Sequence, residues 1–248
     1  MKENKMKLVK ICGLQTMEAA EVAALNGVDL LGCILVPNRQ RTVDPTVARQ
    51  ISQIANFNRP KTVKDIFLDI KSQNISDPIK YFDYIKQEIL SYGPYLVGVF
   101  RNQSEEEVFK QASDLNLDFV QLHGDENKTE FIRLATELGF GVIPRYVIPR
   151  DIEQLKKDTQ EIVKLGALSI PLLDSDQGGE GKVGDWDYIT ENLGFTSALL
   201  AGGLTPENLI DTKNVKNIIG YDVSGGVETD GKKDPTKIIR FIVNGKAV

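Results

Sequence analysis

Cysteine, histidine and long apolar runs are all scarce in this chain of 248 residues, and each scarcity excludes a class of protein. Two cysteines, Cys12 and Cys33, are too few and too badly spaced for a disulfide framework or a zinc site. One histidine, His123, with no G-x-S-x-G elbow, speaks against a Ser-His-Asp triad, and no cluster accompanies it that could ligate a metal. No stretch approaches the roughly 20 apolar residues of a membrane span. The opening MKENKMKLVKICG has lysines but no apolar core for a signal peptide. A basic excess is missing too. Thirty Lys and Arg face 35 Asp and Glu, a net charge of −5, which argues against general nucleic-acid binding. A local arginine and a few backbone N–H groups could still hold an anionic small molecule. The expected setting is the reducing cytoplasm, with no membrane partner.

The chain is rich instead in short apolar, β-branched stretches. Lys7–Ile11, Asp29–Val36, Tyr95–Phe100, Asp118–Leu122, Gly141–Val147, Leu168–Asp174, Ser197–Leu200 and Asn217–Val223 read as eight buried strands. Helix-like segments lie between or after them at Thr16–Leu25, Thr46–Ile54, Glu105–Leu115, Lys128–Leu138, Asp151–Lys164, Pro206–Asp211 and Pro235–Val243. Near-continuous apolar strands suit a parallel sheet covered on both faces. Eight strand–helix units in a length near 250 residues give an α/β fold, a single (β/α)8 TIM barrel spanning 1–248. The rival, a doubly wound open sheet, leads one to look for a G-x-G-x-x-G turn after the first strand, and Cys12-Gly13-Leu14-Gln15 is not that.

One segment breaks the rhythm. Between the second helix and Tyr95, about forty residues stand where roughly two to six are usual. Asp77-Pro78 reads as N-cap and N1, and Ile79, Phe82, Ile85 and Ile89 keep helical spacing. An extra helix over 78–90 is expected within an insertion at about 57–93, on the underside or flank of the barrel. Helix-to-strand loops sit opposite the active face, so a structural elaboration is favoured there over a functional one. A monomer is expected unless that helix exposes its apolar face.

In such a barrel the chemistry sits at the C-terminal ends of the strands. That rule selects Cys12, Arg39 and Arg41, His123, Asp174, and the double glycines Gly202-Gly203 and Gly225-Gly226. Two double glycines in successive last loops suit phosphate better than two chance turns, because glycine lets backbone N–H groups approach an anion. Thr205-Pro206-Glu207 reads as the start of a helix whose N-terminus would favour the same anion. Asp174 ends the apolar run Ile170–Leu173. There it is either an ordinary loop cap or a carboxyl kept against an apolar wall as a general acid. The following stretch, Ser175 to Gly181, reads as a mobile loop, and its Asp174-x-Asp176 start lacks the rest of a calcium loop. Cys12 is either a small buried hydrophobe or, beside positive charge, a thiolate base. Cys33 reads as core. Arg41, in Pro37–Asp44, is either a solvated loop residue or a clamp for a planar carboxylate, with Arg39 a weaker second. His123 reads as polar wall.

Five motifs then recur in register at five strand ends: Lys10-Ile-Cys-Gly-Leu14, Val120-Gln-Leu-His-Gly124, Leu172-Leu-Asp-Ser175 with Gly178-Gly-Glu-Gly181, Leu200-Ala-Gly-Gly-Leu204 and Asp222-Val-Ser-Gly-Gly-Val-Glu228. Together they resemble the phosphoribosylanthranilate isomerases, the fungal single-function form most closely, from about Leu8 to Phe241 outside the insertion. The resemblance implies a cofactor-free Amadori rearrangement of N-(5-phosphoribosyl)anthranilate in tryptophan biosynthesis. It implies Cys12 as general base, Asp174 as general acid and Arg41 on the anthranilate carboxylate. Its substrate-binding set falls on His123, Gly202, Gly203, Asp222, Ser224, Gly225 and Gly226, with no metal. Two departures stand out. Asn38-Arg39-Gln40-Arg41 replaces the Lys-Ser-Pro-Arg of many bacterial relatives, and Ser-Gly-Gly replaces the common Ser-Ser-Gly in the eighth loop. The rivals are another phosphosugar isomerase, which would use aspartates for both proton transfers, and a barrel that binds a phosphorylated metabolite without turnover.

Overall fold

The computed structural model describes residues 5–175 and 185–248. Eight parallel strands close on themselves in chain order: β1 (Leu8–Ile11), β2 (Leu30–Ile34), β3 (Tyr95–Phe100), β4 (Phe119–Leu122), β5 (Gly141–Ile148), β6 (Leu172–Ser175), β7 (Ala198–Leu200) and β8 (Ile218–Val223), with β8 pairing back to β1. The runs are buried along their length because helices cover the outside and side chains fill the inside. Nine α-helices are described: α1 (Met17–Leu25), α2 (Pro45–Asn56), α3 (Val63–Gln73), α4 (Pro78–Tyr92), α5 (Glu105–Asp114), α6 (Lys128–Leu138), α7 (Ile152–Leu165), α8 (Trp186–Asn192) and α9 (Pro235–Ala247). No helix among the described residues is long and apolar enough to cross a membrane.

Alternation along β1 and β8 sorts their side chains. The Gly245 backbone of α9 lies against Val9 and Tyr221, where an added Cβ would stand 2.9 Å from Val9 Cγ2. Val9 and Tyr221 therefore face the outer helix, while Lys10 and Asp222, one residue on, and Cys12, two beyond Lys10, face into the barrel.

Most helix starts follow from the sequence. Thr16, Asp44, Asp77, Ser104, Asn127 and Asp234 each accept a first-turn backbone N–H, and Pro45, Pro78 and Pro235 sit where their missing N–H loses nothing.

Four expectations change. The insertion carries two helices rather than one: α3 precedes α4, opened by a reciprocal Thr62–Asp65 capping box. Strand β6 begins at Leu172, not Leu168, because Pro171 has no N–H to donate to the ladder. The seven-residue α8 had gone unmarked in the sequence. The helix expected at Pro206–Asp211 is instead a turn followed by a four-residue 3₁₀ helix, Leu209–Thr212. There the Asn208 amide donates to Gly203 O at 2.8 Å, while its oxygen accepts from Thr205 N at 2.8 Å. These local bonds compete with a helical start, so no helix N-terminus stands behind Thr205.

The insertion lies against the N-terminal end of the barrel. Arg59 forks onto Asp118, the residue before β4, at 2.6 and 2.7 Å, and reaches Ala55 O and Pro94 O as well. Tyr81 of α4 donates to Ala167 O, ahead of β6, at 2.6 Å. Lys61 ties α3 to α4 through Asp69 and Glu88.

Candidate active site

The opposite, C-terminal mouth gathers the residues that the sequence marks. Cys12 follows β1 directly, is 5% exposed, and its N–H donates to Val223 O at 2.8 Å. Gly13 then takes a positive φ of 72°, and a side chain there would stand 2.6 Å from Ser224 Oγ and 2.9 Å from Arg41 Cδ. Only glycine meets both demands. That turn brings Cys12, Arg41 and Ser224 together at the β1–β8 side of the mouth.

Arg41 is not a solvated loop arginine. Its Nε and Nη2 engage Glu228 at 2.7 and 3.0 Å, a bidentate pair. Lys233 donates to the same carboxylate at 2.7 Å and to Ser224 O at 2.8 Å. Burial would raise the Glu228 pKa, but hydrogen bonds from Arg41 and Lys233 outweigh it and hold the carboxyl down at about 2. The hairpin that delivers these two residues, β9 (Glu228–Thr229) and β10 (Lys232–Lys233), was missed in the sequence. Its signal was present: Asp230-Gly231 is a type I′ turn pair, and both residues adopt positive φ, 51° and 76°.

The two double-glycine loops meet. A Cβ on Gly226 would fall 1.9 Å from Leu204 O, so the eighth loop is packed backbone-on-backbone against the seventh. Gly202 and Gly203 turn with φ of 90° and 67°, and Gly225 lies beside Arg41 Nη2.

Asp174 is on the far side of the barrel, 8% exposed at the end of β6. The apolar wall expected for it is corrected by Arg145 of β5, whose Nε donates to Asp174 Oδ2 at 2.8 Å. Arg145 also went unmarked, because a lone arginine inside an apolar strand gives no sign of which face it occupies. The loop read at Ser175 to Gly181 lies, beyond Ser175, outside the described residues.

His123 stands between the two sides. Burial first, then the positive charge of Arg145 and, more weakly, of Lys10 and Arg101, push its imidazole down to about 4 against the pull of Asp222. It is neutral at ordinary pH, and its buried Nδ1 has no hydrogen-bond partner among the described residues. Gln121, two residues earlier on β4 and 2% exposed, has an Oε1 with no partner among the described residues. Asp222 holds Lys10 at 2.8 Å in the barrel interior. Buried polar atoms are normally satisfied, so the open ones at this mouth stand out among the described residues.

Fold and mouth together define a (β/α)8-barrel protein with a cationic ligand-binding rim and ionisable groups on opposite strands. Residues 59–244 match the family model described as N-(5'phosphoribosyl)anthranilate (PRA) isomerase. The Candida albicans N-(5'-phosphoribosyl)anthranilate isomerase is 52% identical, covering 98% of this chain and 99% of that one. The Saccharomyces cerevisiae enzyme is 43% identical over 96% and 94%. Among solved structures, the phosphoribosyl anthranilate isomerase of Thermotoga maritima is 30% identical, with a TM-score of 0.71 over 98% of this chain and all, 100%, of that one. Another is in complex with reduced 1-(o-carboxyphenylamino)-1-deoxyribulose 5-phosphate, at 29% identity and a TM-score of 0.69. The chain belongs to the N-(5'-phosphoribosyl)anthranilate isomerase family.

Proposed function

We propose that this barrel isomerises N-(5'-phosphoribosyl)anthranilate to 1-(o-carboxyphenylamino)-1-deoxyribulose 5-phosphate with Asp174 as general acid and Cys12 as general base. The reading rests above all on one juxtaposition. An ionisable thiol and a carboxyl end β1 and β6, on different sides of one mouth whose rim holds two interlocked glycine loops.

The chemistry divides accordingly. Asp174 gives a proton to the ribose ring oxygen as the C1–O bond breaks, leaving an iminium at C1. Cys12 takes the proton from C2, and the C–H electron pair forms the C1–C2 double bond of an enolamine. That species tautomerises: C1 gains a proton, the C2 hydroxyl loses one, and the ketone results. No electron leaves the substrate, so no redox partner is required.

Substrate placement follows from charge. The phosphate fits the backbone of the Gly202-Gly203 and Gly225-Gly226 loops with Ser224, and the anthranilate carboxylate fits Arg41. Arg41 must then share or leave Glu228, and Lys233 keeps that carboxylate paired when it does. The open Nδ1 of His123 and Oε1 of Gln121 take the sugar hydroxyls, with Asp222 beside them.

The test is turnover of freshly generated phosphoribosylanthranilate, followed by loss of its fluorescence. Cys12→Ser and Asp174→Asn should each lower kcat by about 10²–10⁴ with KM changed by only a few-fold. Near-normal kcat in either variant removes that residue from its role.

The chain is also read as a monomer. The apolar face of α4 is turned inward, with Phe82, Ile85 and Ile89 fully buried. Sedimentation equilibrium at a dimer mass would reverse this reading.

A further inference from the structure

Lys10 has no access to solvent, an unusual state for an ammonium group. It sits opposite Asp222 in the β1–β8 register and holds Oδ1 at 2.8 Å. Replacing a buried ion pair with apolar residues is often neutral or stabilising, so stability alone gives no reason to keep this one. Burial would lower the lysine's pKa, yet the Asp222 carboxylate and the Cys12 sulfur outweigh it and raise it above the ordinary lysine range. Lys10 is therefore held as a cation by its neighbours.

Cys12 lies two residues further along the same inner face, within electrostatic reach of Lys10. The sulfur lies against the Gly32 backbone of β2, where a Cβ would stand 2.8 Å away. Arg41 from the second loop and Lys233 from the hairpin also act on it. From β2, Cys33 sits next to Gly32 on the opposite face of the strand as a neutral thiol, pushed up to about 12 chiefly by burial. Asp222 of β8 and Glu228 of the hairpin are the carboxylates, and His123 of β4 is neutral. Among the described residues this cluster has three cations (Lys10, Arg41, Lys233) and two carboxylates (Asp222, Glu228). One positive charge is left over beside the sulfur.

We propose that Lys10, anchored by Asp222, is the positioning residue that holds a fixed positive charge against Cys12 inside the barrel, an inference that rests on reading Cys12 as the base. A thiolate deprived of water needs a fixed cation, and Lys10 is the one of the three that is fully enclosed. Arg41 has to turn toward the substrate and Lys233 has to cover Glu228 when it does. Lys10 has no such second duty. It holds its charge beside the sulfur through the whole cycle and leaves the proton from C2 a place to go.

Alkylation of the full-length protein by iodoacetamide between pH 5 and 10, without substrate, tests this directly, with modification at Cys12 followed by mass spectrometry. In Lys10→Met the alkylation rate at pH 7 should fall about tenfold or more, and the rising limb of the profile should move to higher pH. Lys10→Arg should restore most of the rate. Lys10→Met leaves Asp222 without its cation, so the double variant Lys10→Met/Asp222→Asn is the second measurement, with the same loss expected. Asp222→Asn alone removes the carboxylate that keeps Lys10 charged and in place, so a partial loss is expected there too, and Lys10→Arg is the variant that separates charge from scaffolding. Unchanged profiles in both Lys10-lacking variants, or a Lys10→Arg rate as low as that of Lys10→Met, overturn the proposal. Failure of the underlying assignment is seen elsewhere, as full turnover in Cys12→Ser.

Discussion

The two ends of this barrel treat buried charge in opposite ways. At the N-terminal end, the buried carboxylates Asp118 and Asp29 each pair with a cation and a backbone N–H. Asp118 accepts both arms of Arg59 and Leu96 N, and Asp29 accepts Val9 N and Lys246. Arg59 has only its Nε without a partner, and its other two nitrogens serve four acceptor atoms. At the C-terminal end, pairs share partners, as Arg41 and Lys233 share Glu228, and His123 Nδ1 and Gln121 Oε1 have none among the described residues. A saturated network fixes one conformation. A network with shared and vacant positions can exchange partners when a ligand arrives. The first belongs to the part of the fold that must not move and the second to the part that must bind.

If that contrast holds, breaking the lower network should damage stability and leave chemistry alone. Arg59→Met strands the Asp118 carboxylate in the interior, and removing one partner of a buried pair costs about 3–5 kcal/mol. Burial already raises the Asp118 pKa, with Arg59 opposing that rise, so the stranded carboxyl has protonation as its relief. Urea unfolding should show the loss, while turnover per folded molecule stays at the wild-type level. A large fall in kcat with stability intact would erase the division between the two ends.

The sequence exposed the upper end better than the lower. Cys12, His123 and Asp174 could be placed because each ends an apolar run, and strand ends are where this fold puts its chemistry. Gly202-Gly203 and Gly225-Gly226 could be paired by their position in successive loops. What escaped were contacts between residues distant in sequence. Nothing near Arg145 announces Asp174, and nothing near Arg59 announces Asp118, since such pairs are made by the closing of the barrel. Two local signals were present and unused. Val63, Ile66 and Ile70 follow helical spacing behind the Thr62–Asp65 box of α3, and Asp230-Gly231 marks the hairpin carrying Glu228 and Lys233. The helix expected after Thr205 failed for a different reason: Asn208 offered the backbone better local partners than a helix did.

The upper end should betray its unsatisfied imidazole through pH. Unfolded, His123 titrates near 6.5; folded, it is pushed down to about 4. As pH falls below the unfolded value, the unfolded chain takes the proton first, so stability declines from about pH 6.5 to about 4 and levels off once the folded form is protonated too. Stability thus rises with pH across that window, by roughly 3 kcal/mol in full. Urea unfolding at pH 7 and pH 4.5 should show a steeper loss for wild type than for His123→Asn, which has nothing to titrate there. Parallel losses would mean that the imidazole finds a partner as good as water.

Tyr81→Phe reads the seam between insertion and barrel at its finest. The hydroxyl donates to Ala167 O at 2.6 Å from a residue 3% exposed, and the ring meets Phe82 edge-on at 6.1 Å. Phenylalanine keeps the ring contact and removes only the donor, so a loss of about 1 kcal/mol, the net worth of one such bond, is expected. The denaturant slope carries more information than the size of the loss. If α3 and α4 unfold together with the barrel, the urea midpoint falls and the slope stays constant, because the surface exposed on unfolding is the same. A shallower slope would instead mean that the weakened insertion had begun to detach on its own. Arg59 and Lys61 argue against that outcome, since with the tyrosine hydroxyl gone Arg59 still fixes the segment ahead of α3 to the N-terminal rim and Lys61 still ties α3 to α4.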